Sequence, residues 1–467
     1  MRNFHKVPVD SPPSWASPFL DADGPRYLQI VGFLERAITT GMLNSGDRLP
    51  PQRQLATQFG VDLTTITRSF NEARRRHLIE ARGALGTFIA MPKAEFAQRI
   101  DLSMNIPPPP AGVDLKSLLR NGISQVMMRS DTDLLMTYHL GGGSEADREA
   151  GAKWLEPMLG CVDSARVVSC PGTQAALAAL ILALTQPGDA ILTEPLVYPG
   201  LPLAAEQLGR RVEVVAADAH GMRPDALEAA CRQHDARLVY LNPTLQNPTA
   251  ATIPEARRHE LLAGAARCNL RIIEDDPYWL FADDPPPPFA SLMPNLVYYL
   301  STMSKCLTPG LRTAFLVLPD SRDADGFLTV LRSFSLMSTS LTSALVTQWV
   351  HDGSAAQVLA GVKAEAEARQ DLAALLLTGR ARPSPCRGIH VWQLLPSYWT
   401  PNDLAAAARE AGLVVAPSTA FHRGTNPPNA VRISLGGSAD RSQLSTALKK
   451  LSALLAQPSP ARQRILV

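Results

Sequence analysis

Lysine is scarce in this chain. Eight lysines stand against 37 arginines, and between Lys153 and Lys363 there are 13 arginines but a single lysine, Lys305. Charge alone does not explain that lysine, because the chain supplies charge with arginine elsewhere. Cysteine is sparse too. Its six copies (Cys161, Cys170, Cys231, Cys268, Cys306, Cys386) show no C-x-x-C spacing. That excludes a zinc ribbon or a disulfide framework and fits a reducing cytoplasm. Long apolar runs are missing: the longest, Ala175 to Leu184, falls well short of the roughly 20 residues needed to cross a bilayer. The opening MRNFHKVPVDSPPSW has no apolar core of the kind a signal peptide carries. The expectation is a cytoplasmic protein.

The remaining composition is that of a globular protein with ample core, 46% hydrophobic and 19% charged. A length of 467 residues suggests a small module and a large one. Net charge is only +2, yet Arg26 to Lys93 holds ten Lys/Arg and five Asp/Glu, a surplus of +5, so the rest of the chain sums to −3. Such asymmetry points to a polyanion partner for the N-terminal part.

Residues 1–24 are polar and proline-rich and read as a loose arm. From Tyr27 to Thr40 apolar residues recur at helical spacing (Ile30, Val31, Leu34, Ile38) and Gly41 stops the helix. LPPQRQLATQFG is a short second helix ending at Gly60, and Asp62 is placed to cap a third that runs to about His77. LIEARGALGTFIA then reads as two strands around a glycine-containing turn. This is the order of a winged helix-turn-helix over 25–93. The third helix offers Thr64, Thr65, Thr67, Arg68 and Asn71 to a major groove, with Arg53 on the helix before it. Arg74, Arg75 and Arg76 could meet phosphates, and Arg82 and Gly83 at the wing tip could reach a minor groove. A three-helix scaffold with a solvated basic face is the plainer alternative.

The run LPPQRQLATQFGVDLTTITRSFNEARRRHLIEARGALGTFIA resembles the GntR family of bacterial regulators. The resemblance implies binding to double-stranded operator DNA.

Residues 94–113 hold PPPP and read as a stiff linker. Beyond them RVVSC, AILTE, RVEVVAA, RLVYLNP, LRIIEDD, NLVYYL and TAFLVLP alternate with helical stretches. The pattern predicts an α/β body over 114–460, a mostly parallel sheet with helices on both faces. GIHVWQLLP, GLVVAP and AVRISLG belong to a smaller α+β subdomain over about 384–457.

Lysine, unlike arginine, can lose a proton and condense with an aldehyde as a Schiff base. Lys305 sits in STMSKCLTPGLR, where Thr302, Ser304 and Arg312 could hold a phosphate. CPGTQAALAALILAL opens a helix whose amides at Gly172, Thr173 and Gln174 suit an anion, although many α/β turns look alike. In EPLVYPG, Tyr198 could stack on a flat ring or serve as a buried structural tyrosine. In LNPTLQNPT, Asn247 lies at a strand's C-terminal edge, where α/β sheets bind ligands, or serves the turn. RIIEDDPYWLF brings Asp275, a carboxylate fit to keep a pyridine nitrogen protonated, and Tyr278, a donor to a ring oxygen. Asp276 reads as turn chemistry. Arg432 in AVRISLG is either a carboxylate clamp or a half-buried structural arginine.

G-T-Q, Y-P-G, N-P-T, D-x-x-Y, S-K-x6-R and the late arginine occur in the order seen in fold-type I aminotransferases, which the chain resembles from about Leu115 to Gln457. The resemblance implies pyridoxal 5′-phosphate held by Lys305 as an internal aldimine. It also implies a dimer in which Tyr138 reaches the partner's cofactor phosphate. The union of both parts resembles the MocR subfamily of GntR-type regulators. That implies a DNA-binding regulator that senses pyridoxal phosphate or an amino-compound effector, with Arg432 holding the effector carboxylate. The rival is a working aminotransferase with an accessory DNA-binding module; a body without its cofactor, serving only dimerisation, is a third reading.

Overall fold

Apolar spacing at the N-terminus builds a small module first. In this computed structural model, which describes residues 24–457 except 45, 77, 82, 84–85, 91–99, 140 and 378–387, the chain divides into Met1–Gln98 and Arg99–Val467. The arm expected at 1–24 and the wing-tip Arg82 lie outside the described residues, apart from Gly24. Helices α1 (Arg26–Thr39), α2 (Gln52–Phe59) and α3 (Leu63–Arg75) enclose a core that includes Ile30, Leu34, Leu55, Ile66 and Phe70. Strands β1 (Ile79–Ala81) and β2 (Thr87–Ile89) pair antiparallel as the wing. Gly60 closes α2 at φ 60°, a conformation that favours glycine. Asp62 stands at the N-cap of α3, but its side chain makes no capping bond.

All seven runs read as strands enter one sheet. They are β3 (Val167–Cys170), β4 (Ala190–Thr193), β5 (Arg211–Val214), β6 (Leu238–Leu241), β7 (Arg271–Asp275), β8 (Val297–Thr302) and β9 (Ala314–Val317), in the order β3-β9-β8-β7-β6-β4-β5. Only β9 runs antiparallel to its neighbours. Side chains alternate between the two faces. Val167, Val239, Leu241, Ile272, Val297 and Tyr299 join one core; Val168, Leu238, Tyr240, Ile273, Tyr298 and Leu300 join the other. With both faces covered, β7 carries Asp275 on the face of Ile273, opposite Glu274 and Asp276. Those two acids belong to a buried network. Glu274 accepts from the amides of Phe289 and Ala290 (2.9 and 2.8 Å) and lies 3.8 Å from Arg258, while Asp276 accepts from Thr244 (3.1 Å). Asp276 is therefore a core acid rather than a turn residue.

The smaller subdomain differs from expectation at its edge. Strands β10 (His390–Leu394), β11 (Ala416–Pro417) and β12 (Ala430–Ser434) pair in the order β10-β12-β11. Its core also takes in Leu102 and Ala373. Ile100–Asp101, expected in the linker, pairs parallel with Leu413–Val414, and the Ser434 amide donates to the Leu102 carbonyl (2.7 Å). Residues 100–113 are thus built into the body; sequence alternation could not show a pairing with residues so far along the chain.

Closeness here is set by glycine. A Cβ on Gly436 would stand 1.8 Å from the Ile106 carbonyl oxygen. Gly436→Ala should therefore cost about 3 kcal/mol of body stability, since backbone on both sides must move. Chemical denaturation checks this, with the module's transition expected to be unchanged.

Candidate functional site

Three strand ends converge. Asp275 closes β7, Tyr278 follows it, Asn247 lies in the turn after β6, and Lys305 sits in the single helical turn Met303–Cys306 after β8. Arg432 reaches the same place from β12. The Tyr240 hydroxyl donates to Asp275 Oδ2 (2.7 Å), while Oδ1 is buried without a hydrogen-bond partner among the described residues. Burial pushes the Asp275 carboxyl up to about 6, with the Tyr240 hydrogen bond and the nearby Lys305 opposing that shift. Lys305 moves the other way. Its amine falls to about 8, mainly through burial and then through Arg432. The amine donates to the main-chain carbonyl of Asn105.

Sequence reasoning missed Asn105, Tyr240 and Asn242. The Asn105 amide donates to the Tyr278 hydroxyl oxygen (2.8 Å) and lies 3.1 Å from His390 Nδ1. His390 Nε2 lies 3.1 Å from the Gln246 carbonyl, which can only accept, so Nε2 carries the proton and Nδ1 accepts from Asn105. Burial holds His390 near 3, hence neutral. With its oxygen already accepting, Tyr278 keeps its own hydroxyl proton for a ligand. Asn242 donates to the Asp275 carbonyl and accepts from the Asn247 amide (2.7 Å), tying the turn to β7. Tyr240 had a usable signal: it pairs with Ile273 in the parallel register and so shares the face of Asp275.

Asn247 accepts from Arg432 Nη1 through Oδ1 (2.6 Å), which leaves its amide protons for a ligand. Arg432 is 5% exposed, lies 4.9 Å over the Phe421 ring and donates from Nη2 to the Ser103 carbonyl; its Nε has no partner among the described residues. Burial lowers Arg432 to about 10.

The structure brings together some of the residues expected to hold a phosphate. Helix α4 (Thr173–Leu184) starts at Gly172, whose φ is 98° and whose Cβ would stand 2.5 Å from Arg312 Nη2, so glycine lets the guanidinium lie against the turn. The Gly172 amide is already used, donating to Cys170 (2.7 Å). That leaves the Thr173 and Gln174 amides, free of other bonds among the described residues, and a buried Thr173 hydroxyl without a partner. Arg312 is exposed and its guanidinium makes no hydrogen bond among the described residues; the Ser304 hydroxyl likewise has no partner there. Thr302 is spent otherwise. Its oxygen accepts from the Ser304 amide (3.2 Å) and caps the turn that carries Lys305. Tyr198 donates to Gln174 (3.2 Å), and Gln174 donates to the Gly200 carbonyl (2.9 Å), fixing the ring beside these residues. Tyr138 is 81% exposed.

In the N-terminal module Arg53, Thr64, Thr67 and Arg68 are exposed, Thr65 is half-buried, and Gly83 turns the wing at φ 54°. Arg68 lies 4.7 Å over the Tyr27 ring. The Thr67 hydroxyl lies 3.0 Å from both the Leu63 carbonyl and Gln52 Oε1, so its one proton is used locally. Arg75 and Arg76 are both bonded to Glu72 (2.8 Å each), and Arg76 also to Glu35. Their expected phosphate role therefore competes with an acid three and four residues back, a spacing visible in the sequence. Arg74 is exposed beside Asn71 (3.1 Å).

Residues 97–451 match the aminotransferase class I and II model, and residues 26–89 match that of the gntR family of bacterial regulatory proteins. The chain belongs to the aminotransferase class I and II family. Its union with a gntR module is the arrangement expected of a MocR-type regulator. An uncharacterized HTH-type transcriptional regulator of Bacillus subtilis, YdeF, is 26% identical over 463 residues, covering 96% of this chain and 99% of that protein. The vitamin B6 salvage pathway transcriptional repressor PtsJ of Salmonella typhimurium is 27% identical over 88% of this chain and 95% of its own length. Among solved structures, an archaeal alanine:glyoxylate aminotransferase superposes with a TM-score of 0.71 at 25% identity, covering 78% of this chain and 92% of that one. Among the described residues no helix is long and apolar enough to cross a membrane.

Only the neutral amine of Lys305 can attack an aldehyde. With the amine near 8, covalent capture of pyridoxal 5′-phosphate should speed up as pH rises and level off above about 8. Borohydride trapping at a series of pH values measures this; a flat profile would remove Lys305 deprotonation from the limiting step.

Proposed function

We propose that this protein is a DNA-binding transcriptional regulator that holds pyridoxal 5′-phosphate on Lys305 and senses it, or an amino compound presented to it, through the aminotransferase-like body. The observation that carries this reading is the unpartnered Oδ1 of buried Asp275. A carboxylate kept from water with one oxygen unused suits a pyridine N–H. The bound cofactor would supply an aldehyde for amines and a ring able to withdraw electrons.

The chain's residues divide the remaining work. Asp275 keeps the ring nitrogen protonated. Tyr278, its oxygen already satisfied by Asn105, donates its proton to the ring oxygen, and Asn247 adds an amide proton. Tyr198 offers its ring for stacking. Thr173, Gln174, Ser304 and Arg312 hold the phosphate; a guanidinium there binds it bidentately. Arg432 takes the carboxylate of an amino-acid effector, because its buried guanidinium lies beside Asn247 at this end of the site. Exposed Tyr138 suits contact with a second copy's phosphate in a homodimer. The winged module reads operator DNA in the cytoplasm through Arg53, Thr64, Thr65, Thr67, Arg68, Arg82 and Gly83.

A working aminotransferase is the less favoured reading, since relatives that match along nearly the whole chain are named as regulators. For regulation, an effector must bind two arrangements of the protein unequally.

The first test is the absorbance spectrum of the purified protein with pyridoxal 5′-phosphate, followed by a panel of amines and amino acids. A visible band that shifts with one compound is expected, and Lys305→Ala should lack it; no band would refute cofactor binding. Arg68→Ala should weaken operator binding about tenfold while leaving the band intact. A lost band in that variant would mean the two sites are not separable.

A further inference from the structure

The two cations assigned to cofactor and effector are both engaged with one short piece of main chain. Lys305 Nζ donates to the Asn105 carbonyl, and Arg432 Nη2 donates to the Ser103 carbonyl. We propose that Ser103–Asn105 is a latch that reads what occupies the site, released at Asn105 when Lys305 takes the cofactor and at Ser103 when Arg432 takes a carboxylate. This rests on the proposed roles of Lys305 and Arg432.

The segment is well placed for it. It follows the winged module in the chain and lies near the start of the body, which begins at Arg99. Just upstream it is anchored by the pairing of Ile100–Asp101 with Leu413–Val414 and by the Ser434 bond to Leu102. Its own turn is local, the Ser103 and Met104 amides donating to Asp101 Oδ1 (2.7 and 3.2 Å). Downstream, Ile106 lies against Gly436. Between these anchors, the bonds from Lys305 and Arg432 and the Asn105 amide on Tyr278 and His390 hold it to the site.

The chemistry makes the two bonds alternate. When the neutral Lys305 amine condenses with an aldehyde, nitrogen forms a double bond to carbon, and both amine protons leave with the carbonyl oxygen as water. The Asn105 carbonyl then loses its donor. An incoming amino acid that takes over the aldehyde carbon passes its own two amine protons back to Lys305, restoring that bond. Its carboxylate meanwhile competes for Arg432. Nη1 already serves Asn247 and Nη2 serves Ser103, so a carboxylate that pairs with the Nη1–Nη2 edge competes with both bonds. The cofactor alone thus frees Asn105, whereas cofactor with an amino acid frees Ser103.

The test uses the full chain and hydrogen exchange of the peptide spanning residues 100–107, with pyridoxal 5′-phosphate as the probe. DNA affinity is read in parallel on a duplex selected by the ligand-free protein from a random pool. Wild type should exchange about fivefold faster in this segment once the cofactor is bound, the loss expected from one hydrogen bond. Lys305→Ala should show that faster exchange without cofactor, gain nothing from it, and shift DNA affinity in the direction that cofactor shifts wild type. Lys305→Arg keeps a donor but cannot condense, so it should stay slow and unresponsive. Arg432→Ala, which removes the Ser103 bond, should also exchange faster without ligand. A covalent band with unchanged exchange would overturn the latch; so would ligand-free Lys305→Ala and Arg432→Ala matching wild type. Absence of the band would overturn the cofactor reading instead, while the ligand-free comparison still decides the latch.

Discussion

Asp275 is a carboxylate kept from water at the end of a sheet buried on both faces. Desolvation works against its charge, and only one of its oxygens has a donor, from Tyr240. The parallel strands bring Asn247, Tyr278 and Lys305 to the same edge, so their positions follow from the sheet that buries the acid. Lys305 is governed by the same desolvation in the opposite sense, its amine drawn down to about 8. An acid near 6 beside an amine near 8 leaves both poised close to neutrality, which neither would be in water. Neutral His390, Asn105 and Tyr278 form the uncharged side of the pocket and fix which way each proton points.

Much of this is legible in the sequence. Strands buried on both faces read as continuous apolar runs, as at Ala190–Thr193 and Leu238–Leu241, whereas the edge strand β5 is only partly covered and shows through its alternation of apolar and charged residues. Lys305 stood out against an arginine background, and Asp275 and Tyr278 followed from a strand that ends in acid and aromatic. The rest depended on distance along the chain. Ser103 and Asn105 enter the site only because Ile100–Asp101 pairs with Leu413–Val414, and the prolines that follow them resemble a linker. Residue type marks Thr302 and place in a helix's first turn marks Gly172 as phosphate partners, yet the turn geometry spends the hydroxyl on a cap and the amide on Cys170. Glu72 was readable from spacing alone, and it withdraws Arg75 and Arg76 from a freely available basic face.

The module and the body solve different problems. The module presents exposed threonines and arginines on a small three-helix core, where a few substitutions can alter recognition without touching the pocket. The body encloses polar groups, and two left without a partner at the strand ends, Asp275 Oδ1 and the Thr173 hydroxyl, are the ones that point to a ligand. A regulator needs this division: one surface open to a polyanion, and one interior whose hydrogen bonds are rearranged by a small molecule.

The pairing of Ile100–Asp101 with Leu413–Val414 also dictates an order of assembly. The winged module needs only residues near its own sequence to complete its core, so it can form while the chain is still being made. The strand beside the pocket must wait roughly three hundred residues for its partner. Contacts of that separation are slow to form. A newly made chain therefore passes through a stage in which its DNA-reading part is complete and its sensing part is not. Chains cut short in the last domain would stay at that stage, able to occupy DNA and deaf to the ligand.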